Sequence, residues 1–155
     1  VLSDLEMRIE QTSAYVEVGE LATIQAEPVQ MYQLFQNLIS NALKFHRKEV
    51  APVVKVFSRI IQESTVFTWC DFPKEYIEIT FEDNGIDIDQ KYFKRIFDVF
   101  QRLHGNNEYE GTGIGLAVCQ KIINQHNGRI RVESQPGKGT RFIVHLPVKQ
   151  DQQGE

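Results

Sequence analysis

The spacing of apolar residues predicts two short strands and a long helix in the first third of the chain. Residues 14–18 and 21–26 are predicted as strands, with Gly19 at the turn between them. From residue 29 to residue 45 the apolar positions recur at helical spacing. Pro28 can begin this helix. The backbone N–H groups of a first turn have no partner within the helix, so the N–H that proline lacks is not missed there.

The middle of the chain is predicted to contain two longer strands and one short helix. Residues 53–61 and 76–83 are the strands, and the residues between them form either a long hairpin loop or an extension of both strands. Residues 90–97 are predicted as a short helix. The stretch 101–110 is polar and aperiodic, which predicts a mobile loop.

The last third is predicted to form one helix and a hairpin. The helix covers residues 113–127, and the strands 129–134 and 139–148 flank a turn at QPGKG. The strands of the whole chain fall largely in adjacent pairs, and the helices alternate with them irregularly. The pattern therefore predicts a two-layer α/β fold, in which a mixed, largely antiparallel sheet has its helices on one face.

Composition and charge exclude several classes of protein. The 155 residues are 41% hydrophobic and 25% charged, which fits one soluble globular domain. The net charge is -4, and the short basic cluster at 46–49 is interpreted as a solvated helix end, so we expect no nucleic-acid partner. Cys70 and Cys119 form no metal-binding or redox pattern, and Cys119 falls in an apolar helical pattern that predicts a core position.

Three regions of the chain are expected to differ in role. Residues 1–19 are predicted to be the exit from a preceding helical domain together with the first strand, 20–148 the functional domain, and 149–155 a polar tail. No signal peptide or long apolar run is present, so we expect a cytoplasmic location without direct membrane contact.

A glycine-rich loop precedes the last predicted helix. Gly111, Gly113 and Gly115 present no Cβ to a ligand, and the helix that follows directs unpaired N–H groups into the same space. Leu116 occupies the third glycine position of the dinucleotide fingerprint, and the Gly-Lys pair at Gly137 leads into a strand, which excludes the Walker loop. The loop is interpreted as a site for a polyphosphate or as a turn chosen for tight packing.

The long predicted helix carries a polar stripe. Asn37, Asn41 and Lys44 share a face, and Gln30 and Gln33 continue it. Asparagine is unfavourable inside a helix, because its amide competes for backbone hydrogen bonds. A Mg²⁺ site would explain two asparagines here, since Mg²⁺ takes oxygen ligands and is usually held by few protein groups together with phosphates. The alternative is a solvated polar face.

The predicted strand 76–83 ends in a carboxylate beside a glycine. Asp83, followed by Asn84 and Gly85, can accept a hydrogen bond from the exocyclic amine of adenine. Guanine presents an acceptor at that position and would be repelled. An ordinary Asp-Asn-Gly turn explains the same residues.

Together and in this order, the segments resemble the ATP-binding catalytic domain of sensor histidine kinases, within the superfamily of gyrase, chaperone and mismatch-repair ATPases. NLISNALKF is similar to the N box, DNGIDI to the first glycine box, RIFDVFQR to the F box, and GTGIGLAV to the second glycine box. SQPGKGTRFIVHLP resembles the last hairpin of the family. The resemblance implies a Bergerat-type α/β sandwich, with ATP held between the sheet and the helices.

The resemblance also implies a role for each matching residue. Asn41 would bind Mg²⁺ with Asn37 beside it, and Lys44 would reach the phosphates. Asp83 would bind the adenine amine, and Thr140 would support the adenine end of the site. The other residues implied to line the nucleotide are Gly85, Asp87, Phe100, Gly111, Thr112, Gly113, Ile114, Gly115, Leu116 and Thr140.

A lid and an external phosphate acceptor complete what the resemblance implies. Phe97 and Phe100 would anchor a lid at about residues 101–110, and Arg102 would swing toward the phosphates. The γ-phosphoryl group of Mg-ATP would pass to a histidine on a dimerisation domain that this chain lacks, and later to the receiver domain of a response regulator. The chain alone is expected to be monomeric and not to phosphorylate itself.

Two positions decide between this activity and its alternatives. ATP-hydrolysing relatives carry a glutamate at the position of Asn37 as general base, and an asparagine cannot take up that proton. Asp87 replaces the second glycine of the usual D-x-G-x-G, and we expect its bulk and charge to weaken ATP binding. The alternatives are a regulatory nucleotide-binding module without phosphotransfer, an ATP-hydrolysing enzyme, and an interaction domain without a ligand.

Overall fold

A computed structural model of the protein describes residues 2–47, 49–63, 74–86, 115–135 and 137–149. The helices are a short 3-10 helix Leu2–Leu5, α1 Glu6–Thr12, α2 Pro28–Lys44 and α3 Gly115–Gln125. The strands are β1 Tyr15–Val18, β2 Val53–Glu63, β3 Lys74–Asp83, β4 Arg129–Gln135 and β5 Gly139–Pro147. The predicted helix 90–97 and loop 101–110 lie outside these described residues.

The described strands form one sheet in the order β1-β2-β3-β5-β4. β1 runs parallel to β2, and every other neighbouring pair is antiparallel, which confirms a mixed, largely antiparallel sheet. The pairing of β2 with β3 continues from Val54 opposite Asp83 to Glu63 opposite Lys74. Both strands are therefore longer than predicted, as in the alternative that extends them toward each other.

The start of α2 is fixed by its own sequence. The Glu27 side chain accepts a hydrogen bond from the Gln30 backbone N–H at 2.7 Å, and Pro28 occupies the first turn. The helix buries one apolar side, formed by Leu34, Leu38, Ile39, Ala42 and Leu43. This agrees with the predicted helix 29–45 to within one residue at each end.

One face of the sheet packs against the helices. Alternate residues of β3 and β5 join the buried residues of α2 and α3 in a single hydrophobic core. The rings of Phe35 on α2 and Phe81 on β3 meet edge to face, with their centroids 5.1 Å apart. Cys119 lies in this core with 0% of its surface exposed, as predicted.

The opposite face of the sheet, here called the outer face, carries charged side chains that meet one another. Glu78 on β3 contacts Arg59 on β2 at 2.8 Å and His145 on β5 at 2.9 Å. On the same face, Arg141 contacts Glu82 at 2.6 Å. These contacts lie along cross-strand rows, which is the usual arrangement of paired charges on a sheet.

The segment 21–26 is not a strand, so that prediction is wrong. Just before it, the Gly19 N–H donates to the carbonyl of Val56 in β2 at 2.8 Å. Further on, the Gln25 N–H donates to the carbonyl of Val148, just after β5, at 2.8 Å. The segment thus runs from β2 to the end of β5. Because it crosses the strands instead of running alongside one of them, it cannot form the repeated hydrogen bonds of a strand pair. Among the described helices, none has the length and hydropathy needed to cross a bilayer.

Candidate functional site

The polar residues predicted on α2 lie beside its buried side. Asn37, Asn41 and Lys44 are each half-buried, and Lys44 lies in the last turn of the helix. A lysine in the last turn is favourable because the carbonyl end of a helix carries partial negative charge. These three residues of the predicted stripe thus share an intermediate burial, whereas Gln33 is exposed.

Asn37 is hydrogen-bonded to the thiol of Cys119 on α3. Burial raises the pKa of this thiol to about 12, and the bond with the Asn37 amide acts in the opposite direction. The thiol is thus neutral at physiological pH. This bond turns Asn37 toward α3, which the sequence alone did not indicate.

Two further polar contacts show that α2 and α3 pack antiparallel. The Gln30 side-chain amide donates to the Gln125 side-chain oxygen at 3.0 Å. The Glu27 backbone N–H donates to Nε2 of His126 at 3.1 Å. As residue numbers rise along α2, their partners fall along α3, from His126 through Gln125 to Cys119. The same register carries Asn41, one turn beyond Asn37, toward the first turn of α3 at Gly115.

This arrangement has a chemical consequence. The first turn of a helix has backbone N–H groups without partners in the helix and a partial positive charge, so it favours an anion. Asn41 would bring an amide oxygen to the same region, and Mg²⁺ accepts such an oxygen together with phosphate oxygens. By this register, the two helices would bring together the groups that a magnesium–phosphate ligand requires.

The turn after β3 lies at the end of α2. The Gly85 N–H donates to Oδ1 of Asp83 at 2.8 Å, and the Ile86 N–H donates to the carbonyl of Phe45 at 2.9 Å. The carbonyl of Ile86 accepts a hydrogen bond from the Thr140 hydroxyl at 3.1 Å. The Asp83 carboxylate is thus oriented by its own turn. A carboxylate accepts several hydrogen bonds at once, so this internal bond is compatible with a further bond from an amine.

Asp83 and Thr140 face each other across two neighbouring strands. They are paired in the register of β3 with β5, and Thr140 is buried. The Ser134 hydroxyl donates to the carbonyl of Gly139 at 2.9 Å and lies 3.3 Å from the Thr140 hydroxyl oxygen. The structure therefore brings together the two residues that the sequence assigned to the adenine end.

Two glycines are required by close approach of main-chain groups. A Cβ on Gly85 would collide with the carbonyl oxygen of Phe45 at the exit of α2. Gly139 has a φ of +83°, and a Cβ there would collide with the carbonyl oxygen of Asp83. Gly85 thus has a packing reason to be glycine in addition to the role that the resemblance implies.

The interpretation of residues 46–49 as a solvated helix end is wrong for Arg47. Its side chain is half-buried, and its Nε–H donates to the carbonyl oxygen of Gly85 at 3.0 Å. The contact joins residues 38 positions apart in the chain. Local sequence patterns carry no signal for such a long-range bond, so the sequence does not predict it.

The structure describes only some of the predicted site residues. Asn37, Asn41 and Lys44 are half-buried residues of α2. Asp83, Gly85 and Thr140 surround the turn after β3. Gly115 and Leu116 begin α3. Outside the described residues lie Asp87, Phe97, Phe100, Arg102, Gly111, Thr112, Gly113 and Ile114.

Comparisons with known proteins identify a matching family and similar sequences and structures. Residues 26–150 match the family model described as histidine kinase-, DNA gyrase B-, and HSP90-like ATPase. The chain is 42% identical over 147 residues to the phytochrome-like protein Cph1 of Synechocystis sp.. That alignment covers 95% of this chain and 18% of the relative, so the chain spans under a fifth of the relative's length.

Solved structures share the fold. A mycobacterial sensor histidine kinase, MprB, superposes with a TM-score of 0.70 at 21% identity, covering 96% of this chain and 91% of that one. Full-length ShkA in complex with AMPPNP superposes with a TM-score of 0.75 at 20% identity, covering 96% of this chain and 28% of that one. At these identities the two likenesses establish the fold alone.

Proposed function

The chain belongs to the histidine kinase-, DNA gyrase B-, and HSP90-like ATPase family, and we propose that it binds Mg-ATP and donates the γ-phosphoryl group to a histidine on a separate dimerisation domain. The structural neighbour MprB is a sensor histidine kinase by name, and 30% identity over 136 residues to the sensor histidine kinase RcsC of Salmonella typhimurium supports the same choice within the family. The domain of this function would be residues 20–148.

The observation that carries the proposal is the meeting of one turn with the exit of α2, a helix that packs antiparallel to α3. The turn held by Asp83 and Thr140 meets the exit of α2, and α2 carries Asn41 toward the start of α3. In the proposed complex the Asp83 carboxylate accepts a hydrogen bond from the adenine amine. The first turn of α3 binds the phosphates, and Lys44 neutralises part of their charge.

Mg²⁺, when bound with the nucleotide, would supply charge neutralisation at the transferring phosphoryl group. Asn41 is the residue proposed to hold it. Asn37 would stand beside this site with its amide bound to Cys119. Neither Asn37 nor Asn41 can act as a general base, so we propose that the site positions ATP for transfer rather than activating water.

Further roles are proposed for residues beyond the described part. Gly111, Thr112, Gly113 and Ile114 would wrap the phosphates, ahead of Gly115 and Leu116. Phe97 and Phe100 would anchor a lid, and Arg102 would approach the phosphates from it. A response-regulator receiver domain would take the phosphoryl group afterwards. We propose that the domain acts in the cytoplasm.

Calorimetric titration tests nucleotide binding. The protein is titrated with ADP and with a non-hydrolysable ATP analogue, each with and without Mg²⁺, and with the guanine counterparts. We expect adenine-selective binding that Mg²⁺ strengthens. Equal affinity for adenine and guanine nucleotides would contradict the role of Asp83, and no binding of either would contradict the proposal as a whole.

Phosphotransfer is tested by supplying the acceptor. The chain is incubated with labelled ATP alone, and then with the histidine-bearing dimerisation domain of a related histidine kinase. We expect no label on the chain itself and acid-labile label on the added domain. Steady release of phosphate without label transfer would point instead to an ATP-hydrolysing enzyme.

A regulatory module that binds nucleotide without transferring phosphate is the second candidate, and Asp87 favours it. Its carboxylate replaces a glycine in the box proposed to face the nucleotide and would repel the phosphates. Under this candidate, Asp87→Gly should strengthen binding of the ATP analogue and raise transfer to the added domain. Unchanged affinity in that variant would remove the reason for this candidate.

A further inference from the structure

Arg47 lies where the helix of the proposed metal site meets the turn of the proposed base site. It follows the last residue of α2, Lys44, by three positions, and it is half-buried. Its Nε–H donates to the Gly85 carbonyl oxygen at 3.0 Å. The guanidinium therefore joins the exit of α2 to the turn that follows β3.

With Arg47, every main-chain polar group of Gly85 and Ile86 has a partner. The Gly85 N–H binds Asp83 and the Ile86 N–H binds the Phe45 carbonyl. The Gly85 carbonyl binds Arg47, and the Ile86 carbonyl binds the Thr140 hydroxyl. Of these four contacts, two come from the exit of α2, one from β3 and one from β5. The turn is thus held from three sides.

We propose that Arg47 is a positioning residue for base recognition, which holds the turn after β3 so that Asp83 meets the adenine amine. This inference rests on the proposed nucleotide binding. Losing the bond would leave the carbonyl of the buried Gly85 without its charged donor and would loosen the turn on the side of α2. The Asp83 carboxylate, which is oriented by the Gly85 N–H, would then lose its fixed direction.

A direct contact of the Arg47 charge with the phosphates is the competing explanation, and the two differ in their ligand dependence. A positioning residue acts on recognition of the base, so its loss should lower the affinities for adenosine and for ADP by the same factor. A phosphate contact acts on charge, so its loss should weaken ADP and leave adenosine unchanged.

The experiment compares wild type, Arg47→Gln and Arg47→Lys in titrations with adenosine and with Mg-ADP, and with Mg-GDP as the guanine comparison. The control is Arg59→Gln on the outer face, where an arginine Nε makes a comparable contact with Glu78 at 2.8 Å. We expect Arg47→Gln to lower the affinities for adenosine and Mg-ADP about tenfold, since one hydrogen bond to a charged donor is of that order. We also expect it to reduce the selectivity for adenine over guanine nucleotides. We expect Arg59→Gln to bind both ligands as wild type does.

Arg47→Lys keeps the charge without the planar guanidinium, so it is also the fallback if Arg47→Gln does not fold. We expect it to weaken adenosine and ADP by equal factors. Unchanged affinities in both variants, or a loss confined to ADP, would overturn the inference. Failure of wild type to bind any nucleotide would overturn the proposed function instead, so the two failures are distinguishable.

Discussion

Along β3, adjacent carboxylates point to opposite faces of the sheet and meet different kinds of partner. Glu82 accepts hydrogen bonds from the Arg141 side chain, at 2.9 and 2.6 Å. Asp83, the next residue, accepts from the backbone N–H of Gly85 at 2.8 Å. On the outer face charged side chains therefore bind one another, whereas on the helix face polar side chains bind the main chain.

This difference between the two faces predicts different effects of substitution on stability and on ligand binding. A partly exposed ion pair contributes little, because solvent screens it and both side chains lose freedom when they pair. A side chain that binds a turn sets the path of the backbone, so its loss moves other groups that the turn carries. We therefore expect substitutions on the helix face to change ligand binding, and substitutions on the outer face to change stability modestly and leave binding intact.

The largest expected effect follows from removing the Asp83 carboxylate. Asp83→Ala would lose both the proposed bond to the adenine amine and the bond that orients Gly85. We expect the affinity for Mg-ADP to fall roughly a hundredfold, since two hydrogen bonds to a charged group are of that order. Calorimetric titration measures it, with Glu82→Ala on the opposite face as the control. A similar loss in both variants would contradict the separation of the two faces.

Two glycines of the β4–β5 hairpin provide a matched pair for stability. Both have positive φ, +78° at Gly137 and +83° at Gly139, but a Cβ on Gly137 would meet nothing within 4 Å, whereas one on Gly139 would strike the Asp83 carbonyl. We expect Gly137→Ala to lower the free energy of unfolding by about 1 kcal/mol. Gly139→Ala should lower it by about 2 kcal/mol more, because the main chain must shift. Denaturant unfolding measures both variants. Equal losses of unfolding free energy would contradict the close approach of Gly139 to the Asp83 carbonyl.

On the outer face, the hydrogen bond from Arg59 is the main cause that holds the pKa of Glu78 below its usual range, against the opposing effect of burial. Because the pKa is lowered in the folded state, the ionised form favours folding. Its contribution is complete above the pKa of an unfolded glutamate and is lost as pH falls through the folded value.

We expect Glu78→Gln to lower the free energy of unfolding by about 1 kcal/mol at neutral pH. The gap from wild type should narrow below about pH 4. Unfolding curves over that range measure it, and Glu133→Gln, whose contact with Arg131 is long and exposed, should show almost no effect. A gap that widened on acidification would mean that the sign is wrong.

The smallest expected effect is the chemical inertness of Cys119. Its thiol is buried and its pKa is raised to about 12, so almost no thiolate forms near neutral pH. In a Cys70→Ser background, we expect no reaction with iodoacetamide until the protein unfolds. Rapid labelling of the folded protein would show that the contact between Asn37 and Cys119 opens readily.

The sequence predicted those features that depend on local pattern or on a motif. The apolar positions of α2 and the pairing of the last two strands were correct because helical and strand periodicities follow directly from burial on one side. The resemblance implies that Asp83 and Thr140 belong to one end of the site, and the register pairs these two residues across β3 and β5.

The errors have a common physical origin in contacts between distant parts of the chain. The segment 21–26 alternates like a strand but crosses strand ends, which its own sequence does not encode. The sequence predicts a solvated Arg47, because a basic residue after a helix is usually exposed, whereas its partner Gly85 lies 38 positions away. The bond of Asn37 to Cys119 depends likewise on how two helices pack.

The measurement that tests the central claim most directly is a titration with Mg-ADP followed by the amide resonances of the isotope-labelled protein. β3 and β5 each carry residues of both faces, so the strands contain their own control. We expect large shifts at Asp83, Gly85 and Thr140, and near-constant resonances at Glu78 and His145 on the outer face. Shifts centred on Glu78 and His145, or no shifts at all, would contradict a nucleotide site between the sheet and α2.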